Sequence, residues 1–211
     1  HAPDVVPVAG AATMAGMAIR RGGRSLHRIR SSARAGVIGL VAGIAGCAAS
    51  VPETGGTDPA TGITTWETQA DGVSLRLTQI LPDQVRAFYL GRGFDPASAE
   101  MLATRACVFQ TVFRNDSESE GIRFHLGEWR ARTPRGESPL RLEADWQREW
   151  EARGVPPGPR TAFRFALYPT AHRYAPGDWN MGMTTYALPL GSRFDLRFVW
   201  REGGKRREAV L

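Results

Sequence analysis

An antiparallel β-sandwich, mainly β and immunoglobulin-like in outline, is the fold that the sequence predicts for residues 66–211, with short helices inserted near its N-terminal part. Three observations predict it. Short runs of alternating apolar and polar residues recur between Val73 and Val210, the period of a strand with one buried face. Turn signals separate them at intervals of about eight to twelve residues, the spacing of a sandwich. All the aromatic residues follow Cys47, so the material for a core lies in this part of the chain.

The elements follow in order. Val73 to Thr78 alternates cleanly and predicts the first strand. Pro82 opens a helix over Asp83 to Leu90, which Gly91 and Gly93 end. Asp95-Pro96 reads as an N-cap with proline at the first helical position, giving a second helix to about Ala103. Beyond Arg105 the period changes to two: Cys107 to Arg114 is a strand, Asn115-Asp116-Ser117 a turn, and Gly121 to Ala131 the returning strand. Pro134-Arg135-Gly136 turns the chain again, and Leu140-Arg141-Leu142 is a short strand. Trp146 and Trp150 are four apart, a helical turn that stops at Gly154 and Pro156-Pro157. Thr161 to Tyr168 is expected as strand, and Pro169 to Trp179 as a long loop with a Pro176-Gly177 turn. Met183 to Leu188 and Ser192 to Glu202 are the next strands, and Gly203-Gly204 forms a hairpin into Lys205 to Val210. No internal repeat is visible.

The chain ahead of this domain has a different composition. Residues 48–65 are rich in Gly, Pro, Thr and Ala, which predicts a flexible tether over 47–65. Residues 1–46 carry six arginines and one aspartate. That leaves residues 47–211 with 21 basic against 20 acidic side chains, although the whole chain has a formal charge of +6. A nucleic-acid footprint needs a basic excess, and a near-neutral domain argues for no nucleic-acid partner. Arg20 to Arg34 lead into the uncharged run Ala35 to Cys47. As a helix at ~1.5 Å per residue, roughly eleven apolar residues of that run reach about half of a ~30 Å bilayer core, too short to span it. A start at Met14 or Met17 would leave Arg20 and Arg21 near the front of a short positive segment.

Ile44-Ala45-Gly46-Cys47 resembles the lipobox of bacterial lipoproteins, with the upstream charge and apolar run of their signal peptides. The resemblance implies a leader over 1–46, cleavage before Cys47 and lipidation of its thiol. It further implies a membrane held through the anchor and a domain facing the periplasm. Ala48 at the next position tilts the expectation towards the outer membrane.

Candidate chemistry is sparse. Gly91-Arg92-Gly93 lacks a third glycine and follows a helix, where a dinucleotide fingerprint follows a strand. No Gly-x-Ser-x-Gly or His-Glu-x-x-His pattern occurs. With Cys47 lipidated, Cys107 stands alone in an apolar strand, a buried thiol rather than a nucleophile. Asp145, Glu149 and Glu151 lie near Trp146 and Trp150, as acids beside sugar-stacking aromatics do in glycosidases. Interleaved Arg148 and Arg153 make surface ion pairs the simpler reading.

The stretch from His172 to Met183 is the most suggestive. His172, Met181 and Met183 offer imidazole and thioether ligands suited to Cu(I), while Tyr174, Asp178, Trp179 and Asn180 fit a recognition loop. The expectation is a non-enzymatic, lipid-anchored module that binds or scaffolds an envelope protein partner and holds no cofactor. Its alternatives are a periplasmic copper-binding or copper-delivery protein and, more weakly, a carbohydrate-active one.

Overall fold

The computed structural model describes residues 54–118 and 120–211. It begins with β1 (Thr54–Thr57), β2 (Thr64–Ala70) and β3 (Val73–Ile80), paired antiparallel in that order. Asp71 and Gly72 both have positive φ, 43° and 75°, as a two-residue turn between twisted strands requires. Helices α1 (Pro82–Leu90) and α2 (Pro96–Arg105) follow. Asp95 caps α2 as expected, accepting from the Ser98 N–H at 2.9 Å.

Next come β4 (Cys107–Asn115), β5 (Ile122–His125), a single 3-10 turn at Leu126–Glu128, β6 (Arg130–Thr133) and β7 (Gly136–Arg141). Two further helices, α3 (Glu143–Ala152) and α4 (Pro157–Ala166), precede β8 (Ala171–Tyr174), β9 (Trp179–Tyr186), β10 (Asp195–Glu202) and β11 (Lys205–Val210).

The strands are antiparallel and run β1-β2-β3-β4-β9-β7-β6-β10-β5-β8, with β11 on the other side of β10. Strand β7 is the seam. Its Leu140 and Arg141 pair with β9, whereas Gly136 to Pro139 pair with β6. The two halves of the sheet face one another across a core of aromatic rings. Phe113 of β4 is fully buried and lies 5.4 Å from Phe124 of β5 and 6.0 Å from Phe198 of β10, centroid to centroid. Edge-on pairs of this kind add about 0.5–1.5 kcal/mol each beyond their burial.

The outer face of the first half carries the helices. Val108 of β4, Val85 and Tyr89 of α1, Leu102 of α2, Trp146 and Trp150 of α3 and Phe163 of α4 form a second cluster. Trp146 Nε1 donates to Thr185 Oγ1 at 2.7 Å, fastening α3 to β9.

Five expectations need correcting. Gly121 to Ala131 is not one strand returning along β4, because the 3-10 turn at Leu126–Glu128 breaks it and β5 pairs with β8 and β10. Thr161 to Tyr168 is not a strand, because residues 157–166 are helix α4, whose Pro157 sits in the first turn. Pro169 to Trp179 is not a long loop, because it contains β8 and the start of β9. Helices are not confined to the N-terminal part, since α3 and α4 lie between β7 and β8. Sheet pairing begins at Thr54, inside the stretch expected as tether, because Thr54 to Thr57 bond along β2 without needing bulky side chains. Cys47 and the leader lie outside the described residues.

Candidate functional site

Side chains on β9 alternate between the two faces of the sheet. Asn180, Gly182, Thr184 and Tyr186 stand opposite Phe113, Thr111, Phe109 and Cys107 in the interior register. Trp179, Met181 and Met183 therefore point outwards, towards the helical layer. That layer covers Met183 and stops short of the other two: Trp179 is 54% exposed and Met181 50%. Phe165, on the last turn of α4, is 78% exposed beside them.

A cleft of about 260 Å³ opens there, lined by Phe88, Arg92, Gln110, Phe165, Met181 and Met183. Tyr89 O–H donates to Met183 Sδ at 3.3 Å and closes its floor. Burial keeps that phenol protonated by raising its pKa. The Arg92 guanidinium lies 3.2 Å from the centroid of the Phe88 ring and donates to the Phe88 carbonyl at 3.1 Å. Arg164 sits 5.1 Å from the Phe165 ring. Neither arginine has a carboxylate partner among the described residues. The groove offers dispersion contact, aromatic faces and the positive charge of Arg92, with no acid–base pair.

Gly182 fixes the geometry of this edge. The Tyr168 N–H donates to the Met183 carbonyl at 2.8 Å, so the segment leaving α4 runs along β9. A Cβ on Gly182 would stand 2.6 Å from Tyr168 N and 2.7 Å from its Cα. Only glycine fits there.

The other expected site residues are placed differently. His172 lies on β8, paired with Phe124 in the second half of the sheet, its ring 5.1 Å from that of Tyr174. The fold does not bring it to Met181 and Met183. Tyr174 is buried, its hydroxyl 2.6 Å from that of Tyr168, so it belongs to the core and not to a recognition loop. Asp178 accepts from the Ala175 N–H at 2.9 Å, and Asn180 from the Met181 N–H at 2.7 Å. Both shape the backbone around the start of β9. Among the described residues no group of three or more His, Cys, Asp or Glu is gathered for a metal.

Trp146 and Trp150 stack on each other at 5.0 Å and are fully buried. The surface on which a sugar would stack is therefore not there. Asp145, Glu149 and Glu151 pair with Arg148, Arg153 and Arg160. Arg153, with Arg141 behind it, holds the Glu149 carboxyl below its usual pKa, the opposite of what a general acid needs. Cys107 Sγ lies 3.5 Å from the Leu188 and Pro189 carbonyls, and burial raises its pKa. That thiol is a poor nucleophile.

Sequence reasoning missed Phe88, Arg92, Gln110 and Phe165. Read as a strand, Phe163 and Phe165 would share a face. On helix α4 they lie about 200° apart, so Phe163 is buried and Phe165 exposed. The signal was Pro156-Pro157-Gly158-Pro159, a helix start rather than a turn. Comparison with protein-family models, with curated proteins and with solved structures finds no match.

Proposed function

We propose that this domain is a lipid-anchored binding module of the bacterial envelope, and that the groove between α1, α4 and β9 receives an apolar segment of a partner protein that also carries carboxylates. The observation that carries the reading is the exposure of Phe165 and Met181 in one cleft with Arg92, with Trp179 exposed two residues before Met181 on β9 and Arg164 beside the Phe165 ring. A monomeric surface rarely gathers large apolar side chains without a partner to cover them. Met181 adapts to the shape of what it meets, and Phe165 and Trp179 supply rigid contact area. The two arginines have no carboxylate of their own to satisfy, so they select an acidic segment over a basic one. The lipobox-like Ile44 to Cys47 supports an envelope location facing the periplasm, with the outer membrane favoured over the inner.

The test uses a synthetic peptide in which leucine and phenylalanine alternate with glutamate, and a second peptide with lysine in place of glutamate. Trp179 fluorescence reports occupancy, with Trp179→Phe as the blank. The acidic peptide should bind and the basic one should bind about tenfold more weakly or not at all. Phe165→Ser with Met181→Ser should abolish the signal. Equal binding of both peptides, or full binding by the double variant, would overturn the assignment.

A further inference from the structure

The second half of the sheet carries a row of arginines on its outer face. Arg206 of β11 stands opposite Arg201 of β10, Arg201 opposite Arg123 of β5, and Arg123 opposite Arg173 of β8. Neighbouring strands lie about 4.8 Å apart, so the row is about 14 Å long. Opposed like charges destabilise a sheet, and a carboxylate beside each arginine would remove the penalty. Two of the four have one. Arg206 binds Glu208 at 2.6 Å, and Arg201 Nη1 binds both Glu128 oxygens at 2.7 and 2.8 Å. Arg123 and Arg173 have no hydrogen-bonded or ionic partner among the described residues.

These two exposed guanidinium groups flank a cleft of about 450 Å³, whose rim is the backbone of Gly121, Gly203 and Gly204. Gly203 and Gly204 have φ of 53° and 82° and form the hairpin between β10 and β11. The three glycines leave the backbone open to a ligand on that rim, with a Glu120 carboxylate oxygen 4.0 Å from where a Cβ on Gly203 would stand.

We propose that Arg123 and Arg173 bind a phosphate group in this cleft, with Arg201 closing its third side. The chemistry decides for phosphate over carboxylate. A carboxylate can also bridge two guanidinium groups, as Glu149 does between Arg141 and Arg153, but it brings a single charge to two. A phosphate has at least two free oxygens on a tetrahedral centre and up to two charges, so it bridges two neighbouring forks. Its source is a phospholipid headgroup or a free phosphorylated molecule. The site is separate from the apolar groove and does not rest on that reading.

The experiment takes the full chain in a Cys47→Ser background, so that no acyl chain contributes, and compares it with Arg123→Gln, Arg173→Gln in the same background. Arg132→Gln, elsewhere on this half of the sheet, is the control. The probes are pyrophosphate, followed by calorimetry, and vesicles of phosphatidylglycerol in phosphatidylcholine, followed by cosedimentation. The double variant should lose about tenfold or more in affinity for the source that binds, and the control should not. Its thermal midpoint should hold or rise, since an opposed charge pair has been removed. Binding to vesicles alone assigns a headgroup, and binding to pyrophosphate alone a free phosphorylated molecule. Phosphate affinity unchanged in the double variant would overturn the site, as would binding of poly-glutamate with no binding of either phosphate source.

Discussion

The hydroxyl of Tyr89 and the sulfur of Met183 are joined by a hydrogen bond of 3.3 Å that ties α1 to β9. It sets the floor of the groove and explains why a methionine, rather than a leucine, stands at that position. A thioether accepts a bond that an aliphatic side chain cannot.

Met183→Leu keeps the volume and removes the acceptor. Repacking costs less than about 1.5 kcal/mol, and leaving the buried phenol unsatisfied adds about 1–3 kcal/mol. Tyr89→Phe in the same chain should recover part of that loss. Urea unfolding of the two single variants and the double variant gives the coupling. Strictly additive effects would show that the bond contributes nothing.

Two alanine substitutions of glycine should have opposite signs. Gly182→Ala drives a methyl into the Tyr168 backbone and should cost about 1–3 kcal/mol. Gly158→Ala, in the first turn of α4 with nothing within 4 Å of the new Cβ, should stabilise by about 0.4–1 kcal/mol. Thermal midpoints moving in the same direction would refute this account of the edge of β9.

All four tyrosines of the chain, at 89, 168, 174 and 186, are buried. Burial pushes each phenol up, that of Tyr174 to about 12. The unfolded chain loses these protons near pH 10 while the folded one keeps them. Stability is therefore unaffected below about pH 10 and falls as pH rises above it, each tyrosine contributing a slope that approaches about 1.4 kcal/mol per pH unit. Tyrosinate absorbance should appear together with loss of structure. Gradual titration of a protein that stays folded would contradict it.

Cys47→Ala tests the anchor. Each buried methylene is worth about 0.8 kcal/mol and stable attachment takes two signals, so a variant that cannot be lipidated should remain an uncleaved precursor or leave the membrane fraction. Normal processing and normal location would refute the lipoprotein reading.

Much of the fold is legible from neighbouring residues alone. Asp95-Pro96 marks the start of α2, and Gly203-Gly204 marks the last hairpin, because a cap and a tight turn are settled within a few residues. The Asp71-Gly72 hairpin was equally open to reading and would have placed β2 and the earlier start of the sheet. Of the groove, Trp179, Met181 and Met183 stood out in the sequence by residue type and spacing. Their grouping with Phe88 and Phe165 did not.

What the sequence alone determined was the predominance of strands, the rich aromatic supply of the core, the caps and turns, and the lipobox-like run before Cys47. The tertiary structure decided the rest. It folded one open sheet over a shared core through β7, carried His172 away from the methionines, and set Phe165 of α4 beside Met181 of β9. It also aligned Arg206, Arg201, Arg123 and Arg173, which span 84 positions of the chain, into one row. The physical reason is register. Alternation says that a side chain lies on one of two faces, but which residue stands opposite is fixed only when distant strands pair and bury their shared core.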